Sequence, residues 1–202
     1  MLRNCCMGLG RGLVIVVLGY VAGRAEPAEF SKFDKNHSTI GFRVPILGGL
    51  SSVEGKFTAF DVQLRYDSVD ASKCFVGATI ETASIHTGIE ERDEHLRSAD
   101  FLDAATHSKI MFVSKKVERS PEGFLVHGTL SMRGTSLPVE LLCRVTGLTR
   151  DSASGDALIG LHATTTLNRQ DYGVSWKHPD PLFVGDSVEV EISLISKLTP
   201  QR

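Results

Sequence analysis

Alternation of apolar and polar residues with a period of two, in run after run, most restricts the folds open to this chain. Ile40, Phe42 and Val44 share one side of a run. Phe60, Val62, Leu64 and Tyr66 share one side of the next, with Asp61, Gln63 and Arg65 opposite. Phe124, Val126, Gly128, Leu130 and Met132 alternate with Leu125, His127, Thr129 and Ser131, and Leu137, Val139, Leu141, Cys143 and Val145 keep the same rule. Val188, Val190, Ile192 and Leu194 do so against Glu189 and Glu191. Successive side chains of a strand point to opposite faces, so each run reads as a strand with one dry and one wet face. That pattern belongs to antiparallel sheet, since parallel strands are buried on both faces.

Eight strands are expected, near 37–46, 55–66, 73–86, 109–118, 123–133, 137–148, 157–168 and 185–196. Short polar links join several of them. Ser120-Pro121-Glu122-Gly123 has Pro and Gly where a tight hairpin wants them, and 151–156 is a polar loop. One segment breaks the rule. Thr87-Gly88-Ile89-Glu90 has the capping-box form, and Ile89, Leu96, Ala99 and Leu102 behind it fall near one helical face. A short amphipathic helix is therefore expected between the third and fourth strands. Eight half-wet strands must close or stack, and closure removes exposed edges. An all-β, eight-stranded antiparallel lipocalin-like barrel is the expected fold, with a two-sheet sandwich as the alternative.

The N-terminus is different in kind. Arg3 and Arg11 precede the apolar run 13–22, no acid appears before Glu26, and Gly23-Arg24-Ala25 offers small residues for cleavage. This order is that of a cleavable signal peptide, residues 1–25, cut near Ala25. The run is too short for a membrane anchor, which takes roughly 20 residues. The mature domain is then 26–202, periplasmic or secreted. Losing Arg3, Arg11 and Arg24 takes the net charge of -2 to -5, so no basic field exists to attract nucleic acid. Cys5 and Cys6 leave with the signal. Cys74 and Cys143 remain, as a disulfide or as two small buried hydrophobes.

Longer blocks carry a resemblance. They are Phe33-Asp34-Lys35-Asn36-His37-Ser38-Thr39-Ile40-Gly41-Phe42, then 55–60, then the run 87–103 with its Arg92-Asp93-Glu94-His95-Leu96-Arg97-Ser98-Ala99-Asp100-Phe101-Leu102-Asp103 core. Gly128 to Gly134 with Pro138-Val139, and Asn168 to Val174 completed by 184–188, complete the set. In these blocks the chain resembles the YceI-like family of exported, lipocalin-like proteins that bind polyisoprenoid lipids. The resemblance implies a barrel whose cavity holds a long isoprenoid or similar chain. The chain departs from the family pattern at Pro45 and Ile46, after the Phe-x-Val of the first strand, and at His86, where Asp is frequent. Those departures imply a different head group if the positions touch the ligand.

No catalytic set emerges. Glu91-Arg92-Asp93-Glu94-His95 lacks the second His of a zincin helix, and no nucleophile elbow or phosphate-cradling loop is present. No catalytic residue, metal or cofactor is expected. Arg92, Asp93, Arg97 and Asp103 suit either a grip on a polar head or the fixing of a lid, and Arg133, Arg169 and Asp171 suit the tying of hairpin ends. Leu47-Gly48-Gly49-Leu50-Ser51-Ser52 reads as an apolar loop at the barrel mouth. The candidate ligand-binding residues are Phe42, Val44, Phe57, Phe60, Val62, Leu96, Phe101, Phe112, Phe124, Val126, Leu130, Met132 and Leu141. Tyr172 and Trp176 would flank the opening. Their expected ligand is a polyisoprenoid or isoprenoid quinone-like lipid, carried or sequestered. The alternative is a structural or stress-response β-barrel domain with no small ligand. A transient contact with a membrane or membrane protein, and a homodimer, stay open.

Overall fold

The computed structural model describes residues 31–176 and 182–198. The expected signal peptide and its cleavage point lie outside the described residues. The strands are β1 (Ser31–Lys32), β2 (Thr39–Ile46), β3 (Ser51–Phe57), β4 (Phe60–Arg65), β5 (Phe75–Glu81), β6 (Ile85–His86), β7 (Lys109–Ser120), β8 (Gly123–Met132), β9 (Thr135–Arg150), β10 (Ala157–Asn168) and β11 (Ser187–Leu198). All eleven form one curled antiparallel sheet in the order β1-β4-β5-β7-β8-β9-β10-β11-β2-β3-β6. One helix, α1 (Glu90–Arg97), lies between β6 and β7.

The expected count of eight is corrected to eleven for three local reasons. The run 55–66 turns at Thr58–Ala59 and makes two strands, β3 and β4. The run 73–86 is broken by a 3-10 turn at Thr82–Ser84, whose Ser84 hydroxyl donates to the Glu81 carbonyl at 2.7 Å. Ser31–Lys32 adds a two-residue strand against β4. The sheet is also a half-barrel rather than a fully paired cylinder, its outermost strands being β1 and β6. At one end the seam is stitched. Phe33 bridges Ser196 of β11, Asp34 N–H donates to the Ile195 carbonyl at 2.7 Å, and the Ser196 hydroxyl donates to the Lys32 carbonyl.

Alternation places the expected side chains inward. Ile110, Phe112 and Ser114 of β7, and Phe124 and Val126 of β8, are buried. The two long hairpins turn where the residues dictate. In the β8–β9 turn Arg133 and Gly134 both have positive φ (49° and 76°), as a two-residue I′ hairpin requires. Bulges interrupt the β7–β8 register between Ser114 and Lys116 and the β9–β10 register at Gly160/Leu161, adding twist to a sheet that must curl.

The helix start also needs correction. Ile89, not Thr87, is the residue before the first turn, and no side chain caps it. Thr87 instead gives its backbone N–H (2.8 Å) and hydroxyl to Asp93, whose side chain is 0% exposed. Ile89 and Ala99 face solvent, and the residues of α1 that turn inward are Arg92, Asp93 and Leu96. A mostly polar helix thus lies over an apolar interior.

Candidate ligand-binding cavity

The inside of the half-barrel is packed at one end and hollow at the other. At the packed end Phe124 meets Tyr66 edge-on at 6.1 Å, with Val117 and Val126 in the same cluster. Beside it Ile159, 0% exposed, packs with Leu64 and Leu161. Toward the other end the strands enclose a cavity of about 430 Å³, within the range of small-molecule sites. Its wall is almost wholly hydrocarbon; Arg92, His95, Thr165 and Arg169 are the polar exceptions.

Two glycines shape that wall. Gly55 faces Phe42 across β2–β3, and a Cβ there would lie 2.4 Å from the ring's Cζ. A Cβ on Gly128 would lie 2.3 Å from Cζ of Phe112. Each ring therefore occupies the space above a glycine that a side chain would otherwise fill. With any larger residue beneath, the rings would stand out into the cavity.

The mouth is aromatic and well tied. His95 packs edge-on against Phe101 (5.0 Å) and Trp176 (5.2 Å), and Trp176 packs against Phe183 (6.4 Å). Arg169 donates to the carbonyls of Val174 (2.7 Å), Gly185 (3.0 Å) and Val184 (3.3 Å) and pairs with Asp186 at 2.9 Å, so it braces the return into β11. Arg133 donates to the carbonyls of Gly173 and Ala99, joining the β8–β9 turn to the segments on either side of the opening. The loop after β2 is bonded to the far side of the mouth: Leu47 N–H donates to the Phe183 carbonyl and Gly48 N–H to that of Leu182. Leu47, Leu50 (88% exposed), Leu182 (64%) and Phe183 present apolar surface there, and Phe183 also lines the cavity.

Asp93 anchors α1 above this opening. Burial pushes its carboxyl upward, but hydrogen bonds from the Thr87 hydroxyl, the Thr87 backbone and His86 outweigh that and hold it below the ordinary carboxylate value. Arg97 donates to the Ala83 carbonyl and pairs with Glu90 at 3.1 Å. These charges fix the lid, whereas Arg92 does not pair with a carboxylate among the described residues.

A family model, the YceI-like domain, matches residues 32–195. The chain belongs to the YceI-like family. Its relatives include a UPF0312 protein of Serratia proteamaculans, 36% identical over 87% of this chain and 88% of the relative. Among solved structures, Burkholderia cenocepacia BcnA superposes with a TM-score of 0.71 at 22% identity, over 81% of this chain and 99% of its own. A Campylobacter jejuni YceI protein gives 0.67 at 25% identity, over 75% and 88%. A polyisoprenoid-binding domain from Saccharophagus degradans gives 0.60 at 16%, over 86% and 100%.

Within this YceI-like domain most of the sequence-predicted residues meet in one place. Phe42, Val44, Phe57, Val62, Leu96, Phe101, Phe112, Leu130, Met132, Leu141 and Trp176 line the cavity. Four do not. Phe124 and Val126 belong to the packed end, and Phe60 stacks on Phe33 at 5.5 Å. Tyr172 is 2% exposed in a cluster with Ile85, Leu102 and Val174, beneath the mouth rather than beside it. Alternation gives the face a side chain takes but not its depth along the barrel, so it did not separate Phe60, Phe124 and Val126 from the rest; Tyr172 lies in the 3-10 turn Arg169–Tyr172, outside any alternating strand. The same alternation could have nominated Ile40, Val188, Val190, Ile192 and Leu194, all of which line the wall. Phe183 and Ile85 carried no such signal, because a turn and a two-residue strand place them, and Val53 fell outside the expected strands because β3 begins at Ser51 rather than at 55.

Cys74 and Cys143 are free thiols against the packed cluster. Burial pushes the Cys143 thiol up to about 11, with nearby Cys74 adding to the rise. No group of three or more His, Cys, Asp or Glu suited to a metal exists among the described residues.

Proposed function

We propose that this protein binds a long apolar lipid, a polyisoprenoid or isoprenoid quinone-like chain, and carries or sequesters it with no covalent step. One observation carries the reading: a cavity of about 430 Å³, almost wholly hydrocarbon, opens at one end of the half-barrel. Each methylene moved from water into such a wall gains about 0.8 kcal/mol, so a chain needs few polar contacts to be held. The polyisoprenoid-binding domain of Saccharophagus degradans has the same fold, which supports this class of ligand. A signal peptide at 1–25 would deliver the domain to the periplasm or the exterior, where such a lipid needs a carrier. The exposed Leu47, Leu50 and Leu182 beside the mouth suit a brief contact with a bilayer during loading.

Binding of fluorescent polyprenols to the purified protein tests the reading. Saturable uptake is expected, lost in Leu130→Asp, which places a charge on the wall, and unchanged in Lys116→Gln on the outer face. No uptake by the folded wild-type protein would overturn it.

A further inference from the structure

The polar exceptions in the cavity wall differ in how fully they are used. Arg169 spends its nitrogens on three carbonyls and Asp186. His95 lies 3.4 Å from Asp100 and is flanked by Phe101 and Trp176. Thr165 is uncharged. Arg92 is the remaining cation. Its Nε donates to the Thr87 hydroxyl at 2.7 Å and one terminal nitrogen, Nη2, to the Thr87 carbonyl at 2.9 Å. Nη1 has no protein acceptor and the guanidinium no carboxylate among the described residues. The nearest acid in the network, Asp93, is already taken up by Thr87 and His86.

Water at the mouth can serve Nη1 while the cavity is open. A chain that fills the cavity displaces that water, and an ionic donor stripped of acceptors is costly. The ligand must then supply an acceptor at the same place. Arg92, His95 and Leu96 fall on one side of α1, at spacings of three and four residues, so the cation sits where the apolar wall ends. Glu91 and Glu94 of α1 face solvent rather than the cavity.

We infer that Arg92 is a head-group site: the bound chain carries an oxyanion, a phosphate or carboxylate, that accepts from Arg92 at the mouth while its tail lies among the hydrocarbon side chains. This rests on the lipid-binding reading and narrows it to acidic amphiphiles. A guanidinium suits such a head because it offers paired donors that cannot be deprotonated.

Geranylgeranyl monophosphate, geranylgeraniol and geranylgeranylamine share one tail and differ in head, so calorimetric titration of the full protein separates the two claims. The phosphate is expected to bind about tenfold more tightly than the alcohol, the size of one charge-assisted hydrogen bond, and the amine most weakly. Geranylgeranoic acid, tested alongside, distinguishes a need for phosphate from a need for any oxyanion; binding near the phosphate's affinity is expected. Arg92→Gln should erase the preference for phosphate over the alcohol, and Arg92→Lys should keep part of it. Circular dichroism and thermal unfolding report the folding of each variant. Equal binding of phosphate and alcohol by the wild type, or a preference that survives Arg92→Gln, would overturn the assignment yet leave the carrier reading intact. Failure of all four probes would overturn both.

Discussion

The two ends of the half-barrel interior are built from the same alternating strands yet have opposite character. At the packed end, aromatic and β-branched side chains interlock: Phe124 against Tyr66, with the Arg119 guanidinium 5.3 Å from the Phe124 ring. The β1 segment seals the seam there. At the hollow end Phe42 takes the space above Gly55, Phe112 at the border of the packed cluster takes that above Gly128, and a polar helix stands in for a hydrophobic plug. The difference teaches that the cavity is made less by missing side chains than by where bulk is allowed to lie. Stability belongs to one end and binding to the other.

Truncation should therefore have opposite consequences at the two ends. Phe124→Ala is expected to cost about 3–5 kcal/mol of unfolding free energy, read by urea denaturation, and to leave lipid affinity unchanged in the variant that remains folded. Phe42→Ala, where one face of the ring meets open cavity, should cost about 1–2 kcal/mol and weaken lipid binding. Equal costs at both ends would break the comparison.

Gly55→Ala sharpens it from the other direction. The added methyl meets Cζ of Phe42 at 2.4 Å and Cγ2 of Thr87 at 2.8 Å, so the ring has to move, and the cavity is the open space beside it. The expected outcome is about 1–3 kcal/mol of destabilisation, as for overpacking elsewhere, together with loss of uptake of a long chain. Retained uptake would show that the ring can yield elsewhere.

The lid offers a pH test. The Asp93 carboxyl is held below its ordinary value of 3.8, so its contribution to stability is fully present above that value and is lost as the pH falls through the lower, folded-state value. Asp93→Asn should flatten the fall in stability below pH 4 relative to the wild type, measured by thermal unfolding across that range. An identical acid limb in both proteins would remove Asp93 from the account.

The smallest expected effect concerns thiol access at the packed end. With Cys143 pushed up to about 11 by burial, only a trace of thiolate exists near neutrality. Alkylation of Cys143 should be slow in the native protein and fast in denaturant, followed by mass spectrometry. Rapid native labelling would mean that this end opens as readily as the other.

Much of this was legible in the residues. The alternation on β2, β8, β9 and β11 identifies the inward faces, and the block 87–103 places a helix between strands. What could not be read was depth and pairing. Nothing in the alternation separates Phe124 from Leu130, six residues apart on one face, yet one is packed and the other lines the cavity. The capping-box pattern at Thr87–Glu90 pointed to a local cap. The hydroxyl instead serves Asp93, because a carboxylate buried under the helix has a greater need of donors than the helix start, which water reaches. Strand breaks at Thr58–Ala59 and Thr82–Ser84 were invisible because the flanking residues keep strand-like composition through the turn.

Native mass spectrometry of the protein purified from its source compartment, with organic extraction of the same sample, tests the central claim most directly. A co-purifying long-chain isoprenoid or similar lipid, displaced when Leu130 is replaced by Asp, is the predicted result. A folded protein that emerges empty, and stays empty when offered polyprenols and isoprenoid quinones, would contradict it.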